Sequence, residues 1–456
     1  MGNVLGTIEY LTTYNKTFTP NREEDFVECN VGVPCRVVTG NKAVQSLIYD
    51  YDRFKKEEFK FAAVMVPEEL TEGVCPSALS NGKFHEKHKG FLMEVISKAY
   101  GEIPASTARS VLSNVSQWGR GPMDDFESKL MAVMADALLP AIYGESTPFD
   151  TKEIERYISG ATSKPKSRIL QVLTSWRSLD EAQSAKESIV GKIKTSERYQ
   201  QLMDLAKSHG LGEKEATMQL LISISLNGVV GSGTNLVSAF ACLDTLSAQD
   251  KGELREEALA AMRKHGGLTR EALQEMPKVE SFVLEALRFS PSPGTASNVL
   301  ATRPSTIQYT AGNGDNKEAE IKEGELVFLL TYWALRDPAV FDKPGEFVWR
   351  RFLGPEGEAR RENHLIFNGR FVDAPAVTNH MCAGKNVALS VFKGIFAILV
   401  TFFGWELQEA PFWTGTKVVR LGRPDNEVKI KSFSLQHPED LKEIFPSYFD
   451  DITRDS

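Results

Sequence analysis

The stretch Thr378–Leu389 reads TNHMCAGKNVAL and leads into a long apolar run that continues to residue 407. A single cysteine, Cys382, stands just before this run. If the run is helical, backbone N–H groups and the helix dipole stabilise a thiolate at its N-terminus. Gly384, two residues later, would let a flat ligand lie close to the chain. These features raise the question of whether Cys382 is a metal ligand or a small buried hydrophobic residue.

The apolar run is interrupted by Ser390 and Lys393, which favours a helix in the protein core over a membrane span. The N-terminal stretch MGNVLGTIEYLTTYNKTFTPNREED has no basic segment followed by an apolar core. It therefore predicts neither a signal peptide nor a transmembrane anchor. Gly6 also stands where a myristoylation site has serine or threonine. We expect the protein in the cytoplasm or at the periphery of a membrane.

The composition excludes several classes of protein. The chain has 456 residues, of which 42% are hydrophobic, so it can bury a large core. Its net charge of -8 argues against binding to nucleic acid, which needs a basic face. The five cysteines include no pair with CxxC spacing, which argues against a disulfide framework and against a thiolate zinc site.

Hydrophobic periodicity predicts a mainly α protein with minor β structure, folded as one large domain over residues 1–456. The segment Pro34–Gly40 predicts a strand closed by a turn. Residues 297–335 contain β-branched runs and turns, which predict a small sheet. Helical patterns dominate residues 125–300, and the predicted helices include Phe84–Tyr100, Glu213–Ser247 and the one that begins at Pro277 and ends before the prolines 291 and 293.

The longest predicted helix, Glu213–Ser247, is apolar almost all round, so we expect it to be buried. Its middle reads NGVVGSGTN and carries three glycines. Each glycine inside a helix costs about 1 kcal/mol relative to alanine. Glycines that weaken a buried helix in this way predict that another group packs closely against its backbone.

Three motifs follow one another in a fixed order. The first is Glu285-x-x-Arg288 on a predicted helix, where the spacing places both side chains on one face. The second is the proline-punctuated stretch DPAVFDKPGEFVWRRFLG, which contains Arg351, and the third is NHMCAGK around Cys382. This order resembles the cytochrome P-450 superfamily, over at least residues 61–405. The resemblance implies a P-450-like fold.

The resemblance also implies a cofactor, heme b, whose iron is held by the Cys382 thiolate as its axial ligand. His380 and Gly384 would contact the same cofactor. Glu285, Arg288 and Arg351 would form an ion-pair cluster that braces the heme face of the fold; they are structural residues on any interpretation of the sequence.

One departure points to a particular branch of the superfamily. Ordinary members have a Phe-Gly-x-Gly loop shortly before the cysteine, whereas here Phe367 lies fifteen residues ahead of Cys382. The enlarged loop resembles the allene oxide synthase and hydroperoxide lyase branch. The stretch HEKHK, from His85 to Lys89, is similar to that branch as well, which implies that this basic helix start contacts the heme propionates. The alternative is a solvated helix start.

The glycine-rich helix resembles the same branch at one catalytic position. The branch has a Phe-Asn-x-x-Gly-Gly pattern, which LNGVVGSG matches at Asn227 and Gly231 and departs from at Leu226 and Ser232. Asn227 would then be catalytic, the alternative being a satisfied core amide. Oxygen-activating members carry an acid where Gly233 stands, and the plant enzymes of the branch carry a lysine there.

A second catalytic position comes from the stretch KFAAVMVP, which resembles the Phe-Thr-Gly-x-x-x-Pro segment of the branch at Phe61 and Pro67. In allene oxide synthases this phenylalanine lies over the reacting carbons of the substrate, whereas lyases often have leucine. The alternative for Phe61 is core packing.

Together these resemblances imply an enzyme of the lyase or isomerase type in oxylipin biosynthesis. Its partner would be a polyunsaturated fatty-acid hydroperoxide, and it would need neither dioxygen nor a reductase. The departures near Asn227 favour an epoxyalcohol synthase, which cleaves the O–O bond homolytically, closes an epoxide and returns the hydroxyl group. Allene oxide synthase (hydroperoxide dehydratase) is the first alternative. Hydroperoxide lyase, an ordinary monooxygenase and a non-enzymatic heme sensor follow it.

Overall fold

The structure is a computed structural model, and it describes residues 26–30, 34–56, 68–145, 149–162, 176–291, 296–310, 315–414 and 423–454. Most of these residues are helical, and three small sheets accompany the helices. The predicted class, mainly α with minor β, is confirmed. Phe61 and the N-terminal stretch considered above lie outside the described residues.

The helices are numbered here in chain order. They are α1 (Asn41–Ile48), α2 (Glu68–Thr71), α3 (Gly82–Ala99), α4 (Ile103–Val115), α5 (Phe126–Tyr143), α6 (Thr151–Thr162), α7 (Trp176–Thr195), α8 (Tyr199–Ser208), α9 (Glu213–Gln219), a π-helix (Leu220–Gly231), α10 (Ser232–Asp244), α11 (Ala248–His265), α12 (Arg270–Gln274), α13 (Pro277–Phe289), α14 (Thr331–Ala334), α15 (Gly354–Arg361), α16 (Lys385–Phe402), α17 (Pro438–Ile444) and α18 (Pro446–Thr453).

The largest sheet has five strands in the order β1-β2-β7-β4-β3. Strands β2 and β7 are parallel, and the other pairs in this sheet are antiparallel. Two antiparallel pairs, β5–β6 and β8–β9, complete the β structure. The strands are β1 (Phe26–Asn30), β2 (Pro34–Val38), β3 (Phe54–Lys55), β4 (Ala296–Ala301), β5 (Ser305–Thr310), β6 (Asn316–Ile321), β7 (Leu326–Leu330), β8 (Phe403–Leu407) and β9 (Ile430–Leu435).

Local chemistry explains where several helices begin and end. The Ser247 side chain accepts a hydrogen bond from the backbone N–H of Asp250 at 3.1 Å and so caps the start of α11. Gly266 ends the same helix in the left-handed conformation (φ 68°), which glycine adopts without steric cost. Pro277 opens α13, where its missing N–H would have had no helical partner.

Helix α16 forms the centre of the helical body and packs against α4, α11 and α13. Its apolar side chains are buried, and its Lys393 pairs with Glu280 of α13 at 2.8 Å. A buried lysine with a carboxylate partner is compatible with a protein core. Two helical stretches, Glu213–Asp244 and Lys385–Phe402, are long and apolar enough by composition to cross a membrane, and 83% of the second is buried inside the protein.

The long helix predicted at Glu213–Ser247 is present, but its middle twelve residues are a π-helix. A Cβ atom placed on Gly228 would lie 2.7 Å from Leu138 Cδ2, and one on Gly233 would overlap the sulfur of Met131. The element that approaches the glycine-rich backbone is therefore α5. The expected all-round burial is wrong on one face of the π-helix, where Asn227 is exposed and Gly228, Val230 and Gly231 are half-buried.

Candidate active site

Cys382 lies on the turn before α16, and its side chain is exposed although the adjacent Met381 is buried. Its backbone N–H donates to the carbonyl of Phe367 at 2.8 Å. Burial raises the pKa of the Cys382 thiol, whereas the Gly384 N–H and the charge of Lys89 act in the opposite direction. The thiol is thus surrounded by protein and still accessible, so it faces an internal space. A thiolate here needs a cation, and a bound metal supplies one.

The enlarged loop before Cys382 has a closed base. The hydrogen bond from Cys382 to Phe367 joins its two ends, and the Asn368 side chain donates to the carbonyl of His380 at 2.8 Å. Lys385 donates through Nζ to the carbonyls of Phe371 and of Asp373, within the loop. Although fourteen residues lie between Phe367 and Cys382 in the sequence, the two residues are direct neighbours in the structure.

Helix α3 brings the basic residues of HEKHK to this loop. His85 lies 3.0 Å through Nε2 from the carbonyl of Asn379 and 2.7 Å through Nδ1 from that of Ser77. Lys89 donates to the same Asn379 carbonyl and to Asn379 Oδ1, at 2.9 Å for the latter. Burial lowers the pKa of Lys89 to about 8. Both side chains are buried, so the alternative of a solvated helix start does not describe them.

Asn379 was quoted in the sequence motif without a role, and the structure gives it one. Its Oδ1 accepts hydrogen bonds from the backbone N–H groups of Ala376 and Met381, at 3.2 and 3.1 Å. Its Nδ2 donates to the carbonyl of Ala374 at 3.1 Å. One amide therefore organises the turn before Cys382 and receives the charge of Lys89. The only feature of the sequence that pointed to this role is that Asn379 lies three residues before Cys382.

His380 lies between α3 and the turn that precedes β3. Its ring contacts those of His85 and Tyr51, with centroids 4.1 and 5.2 Å away. Burial, together with the charges of Lys56, His85 and Lys89, lowers the pKa of His380 to about 2. The Nδ1 atom of His380 is buried and has no hydrogen-bond partner within the described part of the chain. A neutral ring with a free nitrogen can still bind a polar group of a ligand.

The same face of α3 also contacts the long helix, through His88. His88 is fully buried, and its Nδ1 lies 3.1 Å from Nε2 of Gln219, the residue before the π-helix. Gln219 also donates to the carbonyl of Cys75 at 2.8 Å and accepts from the backbone N–H of Ser77 at 3.1 Å. Sequence reasoning missed this buried group, because a glutamine in an apolar run carries no distinguishing pattern.

The π-helix presents one accessible face, which contains Asn227. Asn227 is exposed, and Val230, Gly231 and Thr234 on the same side are half-buried, whereas Leu226 is buried. The Asn227 amide makes no hydrogen bond to any of the residues that the structure describes. A free amide on an otherwise buried helix is available to a ligand, so the alternative of a satisfied core amide does not apply.

The ion-pair cluster joins two residues of α13, Glu285 and Arg288, to Arg351, and all three are buried. Arg288 donates through Nε and Nη2 to the two carboxylate oxygens of Glu285, at 2.7 and 2.9 Å. Arg351 donates through Nε to the same oxygens at 3.1 and 3.0 Å. The backbone N–H of Val348 completes the set at 2.8 Å. The remaining guanidinium groups donate to backbone carbonyls, including those of residues 335, 344 and 346. These contacts make the cluster structural.

The sequence and the fold are both similar to those of known proteins. A family model described as Cytochrome P450 matches residues 147–431, more than half of the chain. The chain belongs to the cytochrome P450 family. The cytochrome P450 fold is also that of the retinoic-acid-bound cyanobacterial CYP120A1, which superimposes with a TM-score of 0.69 at 17% identity. That similarity covers 90% of this chain and 92% of the other, and the predicted fold class is confirmed.

Several curated P450 relatives belong to the predicted branch. Allene oxide synthase 2, chloroplastic, of Solanum lycopersicum is 31% identical over 41% of this chain and 36% of its own length. Divinyl ether synthase CYP74M1 of Selaginella moellendorffii is 30% identical over 48% and 45%. Allene oxide synthase, chloroplastic, of Arabidopsis thaliana is 27% identical over 76% and 69%. The chain thus matches less than half the length of the first two, and the recognised branch is confirmed.

The site fits the heme that P450 proteins hold through a cysteine thiolate. A Cβ atom on Gly384 would lie 3.9 Å from Cys382 Sγ, in space that a flat ligand needs. His85, Lys89 and the unpaired Nδ1 of His380 lie at one edge, where acidic groups of a porphyrin would bind. No group of three or more His, Cys, Asp or Glu able to hold a metal ion occurs in the described ranges.

Proposed function

We propose that this P450 is a heme-thiolate enzyme that rearranges polyunsaturated fatty-acid hydroperoxides, with an epoxyalcohol as its product. The observation that carries the proposal is the free amide of Asn227 on the accessible face of a buried helix. The relatives named as allene oxide and divinyl ether synthases support the same class of chemistry.

Heme b bound through Cys382 would supply a thiolate-ligated iron, which favours cleavage of an O–O bond. The chain's own contribution is to bind and orient the substrate. The Asn227 amide can donate to the hydroperoxide oxygens and accept from the hydroperoxide hydrogen. Val230 and Gly231 extend the accessible face with apolar surface, which suits the hydrocarbon chain of a fatty acid.

The local packing argues against dioxygen as the oxygen source. An oxygen-activating member needs an acid at the position of Gly233 to deliver protons. Here a side chain at that position would collide with Met131 of α5. A hydroperoxide arrives with its oxygen already reduced, so it requires no such acid, no nicotinamide and no reductase. Glycine at this position also means that the chain lacks the lysine of the plant pattern.

The fate of the two oxygen atoms distinguishes the candidate products. An epoxyalcohol is an isomer of the hydroperoxide and keeps both oxygens. An allene oxide or a divinyl ether forms with loss of one water molecule. The names of the relatives favour these two dehydration products as second candidates. The departures around Asn227 and the closed position at Gly233 favour the epoxyalcohol.

The test is an anaerobic incubation of the purified heme-loaded protein with linoleic acid hydroperoxide whose two peroxide oxygens carry a heavy isotope. No reductase or nicotinamide is added, and products are identified by mass spectrometry. The expected product has the mass of the substrate and carries both labels, one in the epoxide and one in the hydroxyl group.

Each alternative product has its own signature. A ketol with one label shows that an allene oxide formed and was hydrolysed by solvent. A singly labelled product lighter by one water identifies a divinyl ether, and short aldehydes identify a lyase. Consumption of substrate only after addition of reductase and dioxygen would indicate a monooxygenase. The absence of any turnover would indicate a heme sensor. Phe61→Leu, if Phe61 lies over the reacting carbons, should raise the share of aldehydes.

We also propose that the protein works in the cytoplasm or at a membrane surface. Its two long apolar helices have most of their residues buried within the protein, and its proposed substrate partitions between water and lipid. Sedimentation with vesicles of neutral phospholipid checks this proposal: full recovery in the pellet after a high-salt wash would indicate integral insertion instead.

A further inference from the structure

The length of the π-helix is unusual. π-helices occur mostly as single-turn bulges inside α-helices, often at functional sites. Here the π pattern covers twelve residues, Leu220–Gly231, and passes into the α-helical Ser232–Asp244 without a break. A conformation that is less favourable than the α-helix persists over this length only when its surroundings stabilise it.

A buried tyrosine contacts the first turn of this π-helix. The hydroxyl group of Tyr143, at the end of α5, lies 3.4 Å from the Leu220 carbonyl and 3.3 Å from Ser225 Oγ. Tyr143 and Ser225 are fully buried. In a π-helix each N–H bonds to the carbonyl five residues earlier, so Leu220 and Ser225 are the two ends of one π-turn. Tyr143 therefore bridges both ends of the same turn.

The same α5 helix contacts the long helix at two later positions. Leu138 packs where Gly228 has no side chain, and Met131 packs where Gly233 has none. The contacts of Tyr143, Leu138 and Met131 follow α5 from its end towards its start. One helix thus fixes the position of the π-helix along its length and across its transition to α10.

The register of this helix decides where Asn227 points. An α-helix turns about 100° per residue, and a π-helix, with more residues per turn, turns less. Over the seven residues from Leu220 to Asn227 this difference in rotation per residue adds up. If the first turns changed to α geometry, Asn227 would rotate around the helix axis, away from the accessible face.

We infer that Tyr143 and Ser225 are positioning residues, which hold the first π-turn and thereby direct the Asn227 amide into the substrate site. Neither residue reaches the accessible face, because both are fully buried. The inference rests on the proposed function, since it assigns Asn227 the hydroperoxide as its ligand.

The test is a double-mutant cycle on the heme-loaded protein. Tyr143→Phe and Ser225→Ala are each made alone and in combination with Asn227→Ala, and kcat and KM are measured with linoleic acid hydroperoxide. Ser238→Ala is the matched control. Ser238 is also fully buried, and its hydroxyl donates to the Thr234 carbonyl at 3.1 Å in the α-helical part of the same helix.

We expect Tyr143→Phe and Ser225→Ala to lower kcat about tenfold each, a fraction of what loss of the whole Asn227 amide costs. In the Asn227→Ala background the same substitutions should change kcat less than about twofold, because residues that act through one group are not additive. Ser238→Ala should leave kcat unchanged in both backgrounds. An equal decrease with and without Asn227 overturns the inference, since general destabilisation would produce that result.

Hydrogen exchange provides a measurement that does not depend on turnover. Backbone amides of Leu220–Gly231 should exchange at least about tenfold faster in Tyr143→Phe and Ser225→Ala than in the wild type and in Ser238→Ala. Unchanged exchange overturns the inference even if the wild type consumes hydroperoxide. If the two variants exchange faster but the wild type consumes no hydroperoxide, the role of Tyr143 and Ser225 in the helix is supported. Only the proposed function is then overturned.

Discussion

Two long apolar helices of this P450 have similar composition and different surroundings. The helical stretch Glu213–Asp244 and helix Lys385–Phe402 are both apolar enough by composition to cross a membrane, yet 56% of the most apolar part of the first and 83% of the second are buried. The first presents a face to the site, and the second is enclosed by other helices. Composition alone does not distinguish a helix that lines a binding site from one that fills the core.

The polar residues of the two helices show the difference directly. Lys393 of α16 is buried, and its Nζ lies 2.8 Å from Glu280 Oε2. Asn227 of the π-helix is exposed, and its amide has no partner among the residues that the structure describes. A buried polar group costs free energy unless it is paired, and the carboxylate of Glu280 offsets this cost for Lys393. Asn227 is exposed and carries no such cost, and we propose that its amide binds the substrate.

The largest effect is expected at the N-terminus of α16. Cys382→Ser should remove entirely the thiolate-type absorption spectrum of the reduced carbonyl complex, because a serine hydroxyl does not replace the thiolate ligand. The measurement is the carbonyl difference spectrum of purified protein. Cys242→Ser is the control: Cys242 is a buried thiol that contacts no part of the site, and burial raises its pKa strongly. A thiolate spectrum that survives Cys382→Ser would show that another residue binds iron.

A second large effect, on the free energy of unfolding, is expected in the buried ion-pair cluster. Glu285→Ala leaves two buried guanidinium groups, those of Arg288 and Arg351, without their carboxylate. Breaking a buried ion pair in this way costs about 3–5 kcal/mol. Glu356→Ala is the control, because Glu356 is 83% exposed in its pair with Arg360 and contributes little. Equal unfolding free energies for the two variants, measured by denaturant titration, would contradict the structural role of the cluster.

Much of this arrangement could be predicted from the sequence. The spacing of Glu285 and Arg288 on one helix face, and the position of Cys382 before an apolar helix, are local patterns. They survive folding because each depends on a few neighbouring residues. The bounds predicted for α3 and α13 agree with the structure within a few residues for the same reason.

The remainder depends on contacts between distant parts of the chain. Tyr143 and Leu220 are 77 residues apart, and nothing in either local sequence indicates that they meet. The π-helix was not predictable, because its sequence is also typical of an α-helix and its geometry is stabilised by α5. The role of Gly233 was likewise hidden until Met131 was placed beside it.

Asn227 and Lys393 provide a direct test of the opening comparison. Asn227→Ala should slow hydroperoxide consumption about 10²–10³-fold with unchanged heme content, because one well-placed hydrogen bond in a reacting site is worth that much. Lys393→Met should leave the rate within about twofold and change the unfolding free energy instead, since it breaks a buried pair. Steady-state rates and denaturant titrations of both variants check this. A stability loss in Asn227→Ala with an unchanged rate would show that this amide supports the fold and does not act on the substrate.

The smallest of these effects concerns His364, a fully buried ring in the paired region below α13. Its Nε2 lies 2.9 Å from the carbonyl of Leu284 and donates to it. Burial lowers the pKa of His364 to about 4, from 6.5. Between pH 6.5 and 4 the unfolded chain therefore binds the proton that the folded protein excludes, so stability falls as the pH falls through this window.

Relative to neutral pH, this one ring should account for about 2 kcal/mol of lost stability at pH 5. His364→Gln keeps an N–H donor for the Leu284 carbonyl and does not ionise. We expect its unfolding free energy to depend less steeply on pH between 6.5 and 4 than that of the wild type. Part of the slope should remain, because burial also lowers the pKa of His88 to about 4. Denaturant titrations at several pH values measure both slopes. Parallel curves for the two proteins would mean that His364 takes up its proton in the folded state as readily as in the unfolded one.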